Sequence, residues 1–77
     1  MLVSVLYYNT KISGYAGREY IYKTELPIKL FQKVIAPVPD GKKKALVVDI
    51  NLPESSVDST WANKIQEITE IDKGDEI

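Results

Sequence analysis

Tyr20 and Tyr22 stand two residues apart within 18–23, Arg-Glu-Tyr-Ile-Tyr-Lys, so an extended strand carries both phenol rings on one side. Lys29 and Lys33 follow at a spacing of four, and Lys42, Lys43 and Lys44 form a run beside a Pro- and Gly-containing turn. Rings on a β face stack nucleobases, and lysines next to them neutralise phosphates. The same side chains have a plainer use, since tyrosine is a good strand former and lysine blunts sheet edges and solubilises hairpin tips. These seven residues, Tyr20, Tyr22, Lys29, Lys33, Lys42, Lys43 and Lys44, are the candidate binding set.

Other chemistry is excluded by what is missing. The 77 residues include no Cys and no His, which removes thiol nucleophiles, Ser-His-Asp triads and the N/S donors of structural zinc. Gly14 and Gly17 lack the Gly-Lys-Ser/Thr ending and following helix of a phosphate loop and read as a turn. Asp72, Asp75 and Glu76 do not follow the spacing of a calcium loop. Asp49, between Val48 and Ile50, is the one carboxylate with apolar neighbours on both sides, and it reads as a strand residue facing solvent. No catalytic residue, metal site or cofactor is expected, and no small-molecule substrate is inferred.

Charge is unevenly spread. Ten Lys and Arg stand against eleven Asp and Glu for a net charge of −1, yet residues 1–44 carry eight basic and three acidic residues, and residues 45–77 two basic and eight acidic ones. Six of the seven aromatic residues fall in the basic half. A chain so short buries a thin core, and packing or self-association must hold it without a disulfide or metal.

The elements that would position these groups are mostly strands. Residues 2–8 are apolar and aromatic around a single Ser4 and read as a mostly buried strand, and residues 9–17 are rich in turn formers. Residues 18–23 alternate as a two-faced strand, and Pro27 turns 24–28 into a crossing. In 29–36 the alternation sets Leu30, Gln32, Val34 and Ala36 against Phe31, Lys33 and Ile35. Pro37 to Gly41 is the strongest turn signal, and 45–51 is the cleanest buried strand, so the two flanking strands form a hairpin. Trp61, Ile65 and Ile68 suit an amphipathic helix capped by Ser59 or Thr60, with Trp61 as a core anchor, although the β-branched residues of 65–71 also permit a final strand. Residues 1–72 form one domain, and 73–77 have nothing to bury and should fray.

The order of these features in 18–72 resembles a recurring small β-barrel pattern. An aromatic-x-aromatic strand, a polar crossing, a strand ending in Pro, a Gly-containing turn and a Val-Val strand occur in short uncharacterised proteins of bacteriophages and mobile elements, which also have a later Trp like Trp61. The Val34 to Gly41 and Ala45 to Asp49 segments are similar in order to the N-terminal DNA-binding domain of the primosomal replication-restart helicase. This chain departs from the pattern at Phe31-Gln32, where Gly-Asp is usual, and at Ala45, where Gly is frequent; no DNA-binding position matches residue by residue. The resemblance implies that the segment near 64–71 is a closing strand after a short helical turn. Together these readings predict a mainly β fold: a small five-stranded antiparallel barrel or strongly curved sheet with one helical turn within 54–63.

Three functions follow as expectations. The first is a non-enzymatic interaction module, phage-encoded by resemblance, binding a protein partner through a sheet edge or a tyrosine-bearing face. A second is a single-stranded nucleic-acid binder using Tyr20, Tyr22 and the neighbouring lysines, and a third is a self-assembling virion subunit. No apolar run reaches the ~18 residues of a membrane helix and no membrane partner is inferred, so the expected location is the cytoplasm, the host's if the protein is phage-encoded.

Overall fold

The computed structural model describes residues 1–57 and 65–73, so Ser59, Thr60, Trp61 and residues 74–77 of the tail lie outside the described residues. The chain is mainly β, with strands β1 (Leu2–Asn9), β2 (Gly14–Tyr15), β3 (Tyr20–Lys23), β4 (Lys33–Val38), β5 (Gly41–Leu52) and β6 (Glu70–Ile71). They form one antiparallel sheet in the order β2-β1-β5-β4-β6, with β3 paired to β1 as well. β3 takes the Leu2–Val5 half of β1 and β2 takes Tyr8 and Asn9. The expected curved antiparallel sheet is thus present, in an open rather than a closed form.

Alternation sets the inner face. Val3 and Val5 of β1, Tyr22 of β3, Val34 and Ala36 of β4, and Ala45 and Val47 of β5 are buried together with Ile28 and Ile68. Cross-strand pairs confirm one shared side, with Val3 opposite Tyr22, Val5 opposite Val47 and Val34 opposite Ala45. Two register shifts in the β1–β5 ladder, on either side of Ser4, together with Asn51 at φ 52°, bend β5 so that its second half follows the curve. At the β4–β5 turn Pro39 and Asp40 make the reversal and Gly41 follows at φ 140°, a conformation that favours glycine.

One feature differs from the sequence reading, and one alternative that it left open, helix or closing strand near 64–71, is decided in favour of the strand. An extra short strand, β2, arises inside the 9–17 loop. The described part of the C-terminal segment is not helical: Lys23 donates from its N–H to the Gln66 carbonyl, and Ile68 N–H donates back to Lys23. Glu70 and Ile71 then pair with Ile35 and Val34, and the Asp72 N–H donates to the Lys33 carbonyl. This segment therefore lies between the outer edges of β3 and β4, with Ile68 in the core. β-branched Ile68 and Ile71 serve this extended geometry better than a helix, and tertiary pairing decides against the helical spacing. The helical turn is a 3₁₀ turn at Glu54–Ser56.

The 29–36 alternation is also interrupted. Gln32 N–H donates to the Lys29 carbonyl and closes a turn whose third residue, Phe31, sits at φ 67°. A bulky residue in this left-handed region is an outlier costing on the order of 1–3 kcal/mol. Bonds from Phe31 N–H to Val47 O (2.7 Å) and from Val47 N–H to Gln32 O (2.9 Å) hold the turn on β5. The extra residue ends strand alternation before Lys33, and Leu30 is consequently exposed instead of joining Val34 and Ala36 in the core.

A candidate tyrosine and lysine groove

The seven candidate residues do not form one platform. Tyr22 is only 5% exposed, and its hydroxyl donates to the Pro37 carbonyl at 2.8 Å. That uses its single proton, so in the 2.6 Å contact between the two hydroxyls Tyr7 is the donor and Tyr22 the acceptor. Burial, and then the bond and the charge of Tyr7 and the charge of Tyr20, push the Tyr22 phenol well above its ordinary value of 10.0. Tyr22 is a core residue with a fully used hydroxyl.

Tyr20 shares that side of β3 but lies at the rim, 38% exposed. Its ring stacks on Tyr7 with centroids 4.4 Å apart and planes 16° from parallel. The Arg18 guanidinium lies 5.8 Å from the Tyr20 ring centre, and Lys43 Nζ lies 5.2 Å from that of Tyr7. A line of contacts Arg18–Tyr20–Tyr7–Lys43 thus borders the core, and the rings are occupied by each other and by cations.

The lysine run divides between two faces. Lys43 is opposite the buried Ala36 and so points to the inner side, whereas Lys42 and Lys44 are opposite Pro37 and Ile35 on the outer side. Lys42 forms an exposed ion pair with Glu70. Lys33 is opposite Leu46, at the far end of β4 from the hairpin tip, and Lys29 lies before the Phe31 turn. The structure therefore brings Lys43 to the tyrosines and leaves Lys29 and Lys33 away from them.

The groove that does form comes from a parting of strands. β1 and β5 pair as far as Tyr7 and Ala45; beyond that point β1 continues with β2 and β5 continues with β4. An edge-on contact between Tyr8 and Tyr15, with ring centres 5.2 Å apart, holds the end of β1 toward β2. The loop beyond it is fixed by Lys11 N–H on Asn9 Oδ1, Ile12 N–H on the Asn9 carbonyl and Ala16 N–H on the Tyr7 carbonyl. Between the diverging strands lies an open groove of about 360 Å³ lined by Tyr7, Tyr8, Asn9, Thr10, Lys11, Ala16 and Lys43. A second hollow of about 450 Å³, along Tyr8, Thr10, Lys43 and Lys44, adjoins it.

Among the described residues, every charged one lining these two hollows is a lysine. Tyr7, Tyr8 and Lys11 were not among the sequence candidates, because no spacing rule reveals where two paired strands separate. Among the described residues no group of three or more carboxylates is placed to hold a metal ion, and no helix is long and apolar enough to cross a membrane. Comparison with known proteins returns no matching family model, no similar curated protein and no similar solved structure.

Proposed function

We propose that the protein is a non-enzymatic interaction module that receives an acidic, extended segment of a protein partner in the groove between the diverging ends of β1 and β5. The observation that carries this reading is the lining: Lys11 and Lys43 beside Tyr7 and Tyr8, with Lys44 in the adjoining hollow and no carboxylate among the described lining residues. Lysines on a concave wall raise the local concentration of anionic chains. Nucleobase stacking is the weaker use of the same groove, because Tyr7 already stacks on Tyr20 and Tyr8 already meets Tyr15. A base stacking there would compete with contacts that these rings already make within the fold.

Fluorescence anisotropy with a labelled Glu/Asp-rich peptide and a labelled oligo(dT), each at low and moderate salt, tests it. Peptide binding that weakens in Lys11→Ala and Lys43→Ala supports the proposal. Micromolar or tighter oligonucleotide binding with a steep salt slope would replace it with the single-stranded nucleic-acid reading. Absence of peptide binding at low salt would overturn the groove as the site.

A further inference from the structure

The groove lies at a gap in a sheet, so it has two faces as well as two walls. On the inner face Tyr7 reaches the hydroxyl of the buried Tyr22, and Lys43 Nζ lies 5.2 Å from the Tyr7 ring centre. Tyr8 and Lys44, the next residues along β1 and β5, point to the outer face by strand alternation. The two hollows follow this division. Tyr7 and Lys11 line only the first and Lys44 only the second, while Tyr8, Thr10 and Lys43 are common to both.

The remaining lysine of the run is engaged elsewhere. Lys42 pairs with Glu70 on the outer face, and neither residue lines the groove. The run therefore presents two consecutive cations to the groove, Lys43 on one face and Lys44 on the other.

A bound chain in extended form alternates with the same period as β5. Its side chains at i and i+1 point to opposite faces, and those at i and i+2 to the same face. Adjacent acidic residues thus place one carboxylate on each face at the level of Lys43 and Lys44. Carboxylates separated by one residue both meet a single face.

We propose that the groove selects segments carrying two consecutive carboxylates, the first meeting Lys43 and Lys11 on the inner face and the second meeting Lys44 on the outer. This inference rests on the reading of the groove as a site for an acidic extended segment, and it adds a sequence requirement to that reading. Net charge alone does not meet the requirement, because the order of the acidic residues decides which faces they reach.

Two labelled peptides of one composition and one charge, Thr-Ser-Glu-Glu-Ser-Thr and Thr-Glu-Ser-Glu-Ser-Thr, test it in anisotropy titrations at low salt with protein up to millimolar. Wild type should bind the adjacent pair about 3- to 5-fold more tightly, the worth of one exposed ion pair. Lys44→Ala should reduce the adjacent-pair peptide to the affinity of the separated one and leave the latter nearly unchanged, whereas Lys43→Ala should weaken both. Thermal melts of these variants, both changed at exposed lysines, should match wild type. Equal wild-type affinities, a preference that survives in Lys44→Ala, or no binding of either hexapeptide overturns the inference. If the Glu/Asp-rich peptide still binds in any of those cases, the acidic-segment reading stands without the pair requirement; if that peptide also fails, both fall.

Discussion

Tyr22 reaches from β3 across the core to the Pro37 carbonyl of β4, 15 residues away, with its hydroxyl 2.8 Å from that oxygen. Pro37 has no N–H to offer a neighbouring strand, and the tyrosine occupies its acceptor. The end of β4 beyond its pairing with β6 is therefore a poor template for another chain, and one phenol joins two strands that do not pair with each other.

Tyr22→Phe should accordingly destabilise the domain by about 1–3 kcal/mol, since the Pro37 carbonyl loses its donor and the Tyr7 hydroxyl its acceptor. In a domain of this size that lowers the melting temperature by roughly 4–8 °C per kcal/mol. Circular dichroism melts measure it, and an unchanged midpoint would mean that water replaces both bonds.

Alkaline pH should act through the same residue. The folded-state pKa of Tyr22 lies above the unfolded value of 10.0, so the stability it confers is complete below that pH and is lost as pH rises toward the folded value. One phenol should ionise, by absorbance near 295 nm, only together with loss of the near-ultraviolet circular dichroism signal. Tyr22→Phe should remove that coupled step; its persistence in the variant would assign it to another group.

Thr24 is buried, and its hydroxyl donates to the Ile68 carbonyl at 2.9 Å while accepting from Leu26 N–H at 3.1 Å. Thr24→Val keeps the shape and strips both bonds, at about 1–3 kcal/mol for each group left unsatisfied. Hydrogen exchange should accelerate first at the amides of Ile68 and Asp72, which tie the C-terminal segment to Lys23 and Lys33. Unchanged protection at Ile68 would show that the threonine does not hold this segment.

Gly41 and Gly14 form a controlled pair. A Cβ at Gly41 meets nothing within 4 Å, yet φ of 140° makes any L side chain strained there, so Gly41→Ala should cost about 1 kcal/mol or more. At Gly14 a Cβ makes only ordinary contact with the Ile12 carbonyl at 3.8 Å, and Gly14→Ala should be neutral or stabilise by up to about 1 kcal/mol. Denaturant titrations that rank the two the other way would refute the backbone argument.

Much of the sheet was readable from residue type. The apolar opening, the Pro27 crossing, the hairpin at Pro39 to Gly41 and the buried strand around Val47 follow from side-chain preference and turn chemistry. Tyr20 and Tyr22 illustrate the limit: a period of two assigns a side of the strand but not a depth, and one side of β3 runs from core to rim within two residues. The lysine run was legible as charge, but its division around Lys43 depends on the register with β4. Phe31 carries no local sign of its positive φ, because nothing in the residue type or its neighbours marks a left-handed position. Pairing with Lys23 and Lys33 determined the shape of residues 66–72, and such long-range partners leave no trace in local periodicity.

That segment gives the protein a timetable. A ribosome delivers β1, β3, β4 and β5 before residues 66–72 emerge to lie between the edges of β3 and β4. During synthesis the nascent chain thus holds a half-assembled sheet with two raw borders, open to strands from neighbouring chains. Docking of the residues around Ile68 against Lys23, Lys33, Val34 and Ile35 ends that exposure.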